Sequence, residues 1–520
     1  HNAYGADTGQ NAEELSHLML VAVPGHFVLE YPVGLLKDFH LLGGDLTDDA
    51  HAQAGAGEGL PVHQSRRQAH GTAQLPDFVL EKQIGYLHRK ADSLLYINRF
   101  YEAERSIAGR LLQLDRACVR YRVEDMEPLV NRAMLESGLE YAAMQRKAIF
   151  EAASSGVLII TGGPGTGKTT IIKALIRIYE SMGCEVALAA PTGRAAKRMA
   201  ESTACEARTI HRLLEVEFRD EADGDEGATF ARNEHNLLDA DIIIIDEASM
   251  IDMFLMQALL AAIRPGARLV LLGDCDQLPS VGAGNVLHDL INSGCFNIVR
   301  LTEIFRQGSE SLIVTNAHRI NRGEMPVTDA RDKDFFFMKR EGGALISTLA
   351  EVTAKRLPAT YGVSAFDKIQ VITPTRKGAA GTETLNQLLQ AELNPPAKDK
   401  AEKKFRNVVF REGDKVMQIR NNYDLTWDED GKERFGIYNG DIGVIGKIYD
   451  RQSYMMVSFD GREVKYGFDL LEDLELAYAI TVHKSQGSEY PFVVMPVTDF
   501  PPMLMTRNLI YTAVTRARAC

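Results

Sequence analysis

No stretch constrains this chain more than residues 157–170, Val-Leu-Ile-Ile-Thr-Gly-Gly-Pro-Gly-Thr-Gly-Lys-Thr-Thr. The apolar run 157–160 reads as a buried strand, and from Lys168 onward Ile171, Ile172, Leu175 and Ile176 recur at helical spacing. Between them Gly162, Gly167, Lys168 and Thr169 fill the pattern G-x-x-x-x-G-K-[ST]. Glycines there let backbone N–H groups curl around a polyphosphate, and the helix start adds the positive end of its dipole. Lys168 supplies a point charge to the outer phosphates, and the Thr169 hydroxyl can ligate Mg²⁺. A chance Gly/Thr turn would not come with a strand before it and a helix after it. Gly163, Gly165, Thr166, Gly167, Lys168, Thr169 and Thr170 are therefore candidate triphosphate ligands.

A chain of 520 residues has material for several cores, and its 45% hydrophobic and 25% charged fractions suit a soluble globular protein. The most apolar early stretch, 18–36, is broken by Pro24, Gly25, His26 and Glu30, which argues against a membrane span. No basic leader segment or cleavage signature precedes it. Starting at His1 and stopping inside a motif at Cys520, the chain reads as a fragment. Cysteines 118, 184, 205, 275, 295 and 520 lack C-x-x-C pairing, which speaks against zinc and a disulfide framework and fits a reducing cytoplasm. The net charge of −13 is a weak veto on nucleic-acid binding, because residues 1–80 carry ten acidic residues against only Lys37, Arg66 and Arg67.

That first segment, rich in Ala, Gly and His, has no assignable job, and its histidines lack metal-ligand spacing. Residues 81–135 turn amphipathic and read as a helical accessory region. Residues 140–153 form a helix leading into the first strand and carry Gln145, a residue type that alone is more often solvent-facing than functional. A second strand, 186–190, runs into Pro191-Thr192-Gly193-Arg194 and a basic helix with Lys197 and Arg198. His211 follows, then residues 216–233, a hairpin with an acidic tip. Four isoleucines (242–245) read as a fully buried parallel strand delivering Asp246 and Glu247 at its C-terminal end. A further strand, 268–272, ends in Gly273-Asp274-Cys275-Asp276-Gln277. Buried strands alternating with helices predict a doubly wound parallel sheet, with ligands at the C-terminal strand edge.

A second α/β unit echoes the first: strand 368–373 ends in Pro374-Thr375-Arg376, as 186–190 ends in Pro191-Thr192. After a charged linker at 394–404, short alternating stretches separated by Asn439-Gly440-Asp441 and Asp460-Gly461 turns predict a small inserted β-barrel. Residues 476–520 then return to the second unit.

The carboxylate pair has a chemical reading. Triphosphate hydrolysis needs one carboxylate supporting Mg²⁺ and another orienting water, whereas the bland alternative is a capping pair that starts the next helix. A P-loop does not neutralise the charge developing in the transition state; an arginine from a second lobe can, contributing on the order of 10³–10⁵ in rate. Arg306 in Phe-Arg-Gln and Arg516 in Tyr-Thr-Ala-Val-Thr-Arg are the candidates, although either alone is more often a surface or structural arginine.

Taken in order, Gln145, 162–169, 191–194, 246–247, 273–277, 305–307, 481–489 (Thr-Val-His-Lys-Ser-Gln-Gly-Ser-Glu) and 511–518 resemble the motif series of superfamily 1 helicases. Thr209-Ile-His-Arg-Leu-Leu, Asp276-Gln-Leu-Pro-Ser-Val-Gly and Tyr438-Asn-Gly-Asp look like the RecD branch, in its long, stand-alone form. The likeness covers residues 85–520; residues 1–80 do not match, and Cys275 stands where such proteins often carry Pro.

The resemblance implies an α/β fold of two RecA-like doubly wound lobes. The first would span 136–300, and the second 301–397 plus a shortened 476–520. An SH3-like barrel would occupy 398–475. It implies a DNA-stimulated, ATP- and Mg²⁺-dependent DNA helicase moving 5′→3′. Gln145 would contact adenine, Lys168 and Thr169 phosphate and metal, and Asp246 the metal. Glu247 would orient water, Gln277 would sense the γ-phosphate, and Arg306 and Arg516 would reach it from the second lobe. Pro191, Thr192, Arg194, His211, Thr375, Thr481, His483, Ser485 and Gln486 would line a path for single-stranded DNA, holding phosphates without reading bases. The 216–233 hairpin would part the strands. The implied partners are single-stranded DNA, duplex junctions with a 5′ tail and single-strand-binding or recombination proteins. The setting would be a monomeric motor of DNA repair or recombination in the bacterial cytoplasm. Other readings are an RNA helicase, a conjugative relaxase motor (no histidine cluster supports it) and a clamp subunit in which ATP only switches affinity.

Overall fold

A computed structural model of the chain describes residues 84–88, 93–217, 229–303, 311–330, 333–340, 342–429, 431–498 and 500–520. Residues 1–80, the acidic tip of the 216–233 hairpin and Arg306 lie outside them.

A six-stranded sheet organises the first half. Strands β3 (Val157–Gly162), β4 (Val186–Ala190), β5 (Arg208–Thr209), β8 (Ile242–Ile245), β9 (Arg268–Gly273) and β10 (Asn297–Leu301) pair in the order β10-β3-β9-β8-β4-β5. Every pairing is parallel. Because side chains alternate across a strand, the isoleucines of β8 serve two cores. Ile243 and Ile245 pack on one face with Ile159 and Leu271, and Ile242 and Ile244 on the other with Ile160 and Leu272. Each side chain so buried contributes roughly 1.5–3 kcal/mol.

Two helices ahead of the sheet seal these cores. Helix α1 (Asn98–Ala117) places Ile107, Leu111 and Leu114 in the first core, and α2 (Val123–Ser137) places Met126 and Val130 in the second. The region read as a helical accessory is thus integral to the first lobe. Asp115 at the end of α1 accepts the backbone N–H groups of Gly156 (2.8 Å) and Val157 (3.1 Å), fixing the start of β3. Ahead of α1 stands a hairpin, β1 (Ile84–His88) with β2 (Ser93–Ile97). Helix α3 (Ala143–Ser154) leads into β3, α4 (Lys168–Ser181) leaves it, and α5 (Gly193–Thr203) follows β4.

The second half is smaller. Helix α6 (Leu312–Asn321) precedes a three-stranded parallel sheet, β11 (Ile369–Thr373) between β21 (Ala479–Thr481) and β22 (Phe492–Val494), with α7 (Thr382–Leu393) after β11 and α8 (Arg507–Val514) after β22. Inserted between β11 and β21 is an antiparallel five-stranded sheet. It comprises β14 (Lys415–Gln418), β17 (Ile442–Tyr449), β18 (Tyr454–Phe459), β19 (Arg462–Gly467) and β20 (Leu474–Leu476). Two hairpins flank it, β12–β13 (Glu402–Phe405 with Val408–Arg411) and β15–β16 (Asn422–Glu429 with Lys432–Ile437). The insert shares one core with its host: Val371, Leu385 and Leu389 pack with Val416, Ile445, Val457 and Tyr466. The buried Asp414 carboxylate cross-ties the two, accepting from Asn394 (2.7 Å), Gln390 (2.6 Å) and Tyr478 (3.0 Å). Beside it Lys415 is buried, with no ion-pair partner among the described residues; its ammonium donates to the Phe366 carbonyl at 2.9 Å, and burial pushes its pKa down to about 7.

Among the described residues no helix is long and apolar enough to cross a membrane. The short strands β6 (Val216–Glu217) and β7 (Thr229–Phe230) pair antiparallel at the base of the expected hairpin.

Candidate functional site

Parallel strands end at one edge, so the loops after β3, β4, β8 and β9 converge there. The loop after β3 is a cradle that only small residues can line. A Cβ on Gly163 would stand 2.8 Å from the Tyr511 hydroxyl and 3.1 Å from the His318 ring, and one on Gly162 would meet Leu301 at 2.8 Å. Gly165 (φ 72°) and Gly167 (φ 82°) take the left-handed conformation that glycine adopts without penalty. Thr166 closes the loop by donating to the Gly163 carbonyl at 2.8 Å. The ammonium of Lys168 lies inside, donating to the carbonyls of Gly162 (2.5 Å) and Gly163 (3.2 Å). Thr169 is exposed at the start of α4, and Thr170 follows on the same turn.

Asp246 and Glu247 sit at the end of β8, both buried. Glu247 has a φ of 54°, a conformation that costs of order 1–3 kcal/mol outside glycine and is found where function demands it. Burial and its neighbour Glu247 push the Asp246 carboxyl above the usual carboxylate range, against the pull of Arg198 and Lys168. Burial acts on Glu247 in the same sense, but Arg198, Arg516 and Lys168 outweigh it and hold its carboxyl below that range. The two carboxyls are thereby shifted in opposite directions, Glu247 downward by its cationic neighbours and Asp246 upward by burial.

Gln277 lies after β9 with its amide N–H donating to Asp274 at 3.2 Å and its Oε1 buried without a hydrogen-bond partner among the described residues. Asp274, 1% exposed, also accepts the Tyr511 hydroxyl at 2.7 Å, across the two lobes. The backbone of the next residue, Leu278, is gripped from the second lobe at both its N–H and its carbonyl. The Leu278 N–H donates to the Thr512 hydroxyl (2.9 Å), and its carbonyl accepts the Gln486 amide (2.8 Å). Arg516 is 3% exposed, held by the carbonyls of Thr512 and Ser488 and close enough to Glu247 to lower its pKa. Gln145, 4% exposed, spends its carbonyl oxygen on the Ala142 N–H (3.0 Å) at the start of α3.

The residues expected on a strand path cluster at two edges. Thr373 pairs with Thr481 across β11 and β21, so Thr375 and the 481–487 loop leave the second sheet side by side. Thr192 caps α5, and a Cβ on Gly487 would come within 2.8 Å of its hydroxyl, which joins the 191–194 segment to that loop. Pro191, Thr192, Thr375, Thr481 and His483 are half-exposed. Three others are engaged inward. Arg194 donates to the Ser488 hydroxyl (2.8 Å) and Tyr490 hydroxyl (2.9 Å); Ser485 donates to the Val482 carbonyl; Gln486 holds Leu278. His211, half-buried, stands 6.0 Å from the Phe230 ring at the hairpin base. Burial lowers the pKa of His211 and of His483.

Asp274, Tyr511, His318 and Arg198 were not among the expected site residues. Asp274 had a signal, a carboxylate immediately after a buried strand, as at Asp246. His318, on α6, has its Nε2 buried beside the phosphate cradle without a hydrogen-bond partner among the described residues, and burial lowers the pKa of the ring.

The glycine cradle, the Lys168 ammonium inside it and the His318 Nε2 beside it suit a polyphosphate. One carboxylate with a hydroxyl nearby is the donor set of a Mg²⁺ that takes its other ligands from phosphate and water. Among the described residues no cluster of three or more His, Cys, Asp or Glu could hold a metal alone.

Comparison with known proteins adds family context. An AAA domain profile matches residues 140–338, an ATP-dependent RecD-like DNA helicase SH3 domain profile 385–459, and a UvrD-like helicase C-terminal domain profile 476–519. The ATP-dependent RecD2 DNA helicase of Deinococcus radiodurans is 37% identical over 72% of this chain, which spans 47% of that relative's length. The RecBCD enzyme subunit RecD of Mycobacterium tuberculosis is 31% identical over 83% of this chain and 76% of its own. The solved Pif1 helicase from Bacteroides with ADP-AlF3 and ssDNA aligns at 22% identity and a TM-score of 0.42, over 73% of this chain and 91% of that one.

Proposed function

Because the chain belongs to the RecD family of ATP-dependent DNA helicases, we propose that it is an ATP-driven motor that moves 5′→3′ along single-stranded DNA and parts 5′-tailed duplexes in repair or recombination. The observation that carries this reading is the seating of second-lobe side chains on the first lobe's site: Tyr511 on Asp274 over Gly163, and Arg516 beside Glu247.

Lys168 would trade the carbonyls of Gly162 and Gly163 for phosphate oxygens, and Gln145 would offer its remaining amide N–H to adenine. Bound Mg²⁺, held by Thr169 and Asp246, would supply charge neutralisation at the transferred phosphoryl group. Glu247, kept ionised, orients the attacking water. Gln277 and Arg516 answer the charge that builds on the γ-phosphate, as would Arg306. These second-lobe contacts strengthen only with a triphosphate in place, so binding favours closure and hydrolysis releases it. Alternate gripping of the strand by the 191–194 segment and by Thr375 with the 481–487 loop would turn that cycle into steps.

The test is unwinding of 5′-tailed against 3′-tailed duplexes, with ATP turnover followed with and without DNA. Unwinding of the 5′-tailed substrate that is lost in Glu247→Gln, while nucleotide binding persists, is the expected result. Tight DNA binding with no turnover would mark a clamp instead.

A further inference from the structure

Arg198 lies one turn along α5 from Arg194, outside every role assigned above. Its two terminal nitrogens reach two lobes: Nη2 donates to Glu247 at 2.6 Å, and Nη1 to Glu489 in the second-lobe loop at 2.7 Å. We propose that Arg198 is a positioning residue, which makes the stance of Glu247 depend on the second-lobe loop and so ties strand binding to hydrolysis; this rests on the motor reading above.

Three observations carry it. First, Glu247 is 5% exposed in a left-handed backbone conformation, and Arg198 is the side chain on which it rests among the described residues. A buried carboxylate so placed follows its counter-ion, because leaving it unpaired is costly. Second, a guanidinium is a rigid planar fork. Glu489 cannot draw one tooth aside without turning the tooth that holds Glu247. Third, helix and loop are laced twice on one face, since Arg194, at i−4, holds Ser488 and Tyr490 of the same loop. Glu489 is steadied from beyond by Arg518 at 2.5 Å, which completes a chain Glu247–Arg198–Glu489–Arg518. The two middle members of this chain sit beside segments expected to touch the strand: Arg198 is on α5, which Thr192 caps, and Glu489 follows the 481–487 loop. A strand lodged there acts on the helix that carries Arg198 and on its second-lobe anchor at once.

A purely structural ion pair would behave differently. It would hold the lobes together and, when cut, lower thermal stability without altering how DNA changes turnover. Glu489→Gln separates the two roles, since it touches neither phosphate cradle nor Glu247. ATP turnover of the full chain is measured with and without an oligothymidylate, for the parent, Glu489→Gln, Arg198→Gln and Arg198→Lys. Glu489→Gln should shrink the ratio of stimulated to unstimulated turnover by about threefold or more. Arg198→Gln should lower kcat about tenfold with KM for ATP within about twofold, and Arg198→Lys should recover part of the rate. A parent-like ratio in Glu489→Gln overturns the coupling, even if Arg198→Gln does not fold. A parent chain that turns over ATP no faster than Lys168→Ala, with or without DNA, removes the motor reading and this proposal with it.

Discussion

The two halves that meet at the candidate site are built on different terms. The first lobe has six parallel strands with both faces sealed by its own helices, α1 and α2 included. The second has three strands, and the core on one flank belongs as much to the inserted barrel as to the lobe. The first is a self-sufficient platform on which the cradle and the carboxylates are set by strand ends. The second draws its rigidity from its insert, so whatever loads the barrel is felt at Tyr511, Thr512 and Arg516. The difference teaches that chemistry and movement are separated by where each half gets its core.

The largest expected effect isolates the platform. Lys168→Ala should reduce ATP turnover by on the order of 10³ or more while leaving single-strand binding measurable, because the strand-facing segments do not depend on that ammonium. Turnover equal to the parent would show that the cradle is not the catalytic site. Next, Asp414→Ala should cost about 3–5 kcal/mol by orphaning the Asn394, Gln390 and Tyr478 donors together. The loss should appear as early melting of the barrel and second lobe, with nucleotide still binding to the first; a single cooperative transition shifted as a whole would contradict the division.

Lys415 sharpens the same contrast through pH. Its folded pKa of about 7 lies below the unfolded value near 10.4, so between these limits the unfolded chain binds one more proton. Stability of the second half should therefore rise with pH across that window, by up to about 1.4 kcal/mol per unit, and level off below pH 7. Denaturant midpoints followed in the barrel should show this slope, and Lys415→Met should flatten it. The smallest effect is expected at His318, where Ala should lower kcat by about five- to tenfold, the worth of one hydrogen bond of about 1–1.5 kcal/mol. An unchanged rate would make it a packing residue.

The first lobe was largely legible in the sequence because its signals are local. Four consecutive isoleucines permit only a strand buried on both faces, and a glycine turn between strand and helix has few other uses. From the second lobe Arg516 was named, but the contacts of Tyr511 and Thr512 with the first lobe were not legible, because each joins distant stretches of chain. Tyr511 and Asp274 lie 237 positions apart, and nothing periodic records their meeting. Polarity misled in a second way: Ser485 and Gln486 are polar residues of a loop read as strand-facing, yet both side chains turn inward. Residue type does not say which side of a loop faces out. Likewise α1 announced itself as amphipathic, but amphipathicity does not name the surface it will cover. Asp414 stands in Arg-Glu-Gly-Asp, which reads as a solvated turn, and only the approach of Asn394 and Tyr478 makes it a core group.

Leu278, clasped at its N–H by Thr512 and at its carbonyl by Gln486, has a mechanical consequence. Rotation of one half away from the other must break both bonds, one on each of the two peptide groups that flank the Leu278 Cα. Opening the hinge therefore costs two hydrogen bonds at one residue, a latch that holds the closed halves until other contacts outweigh it.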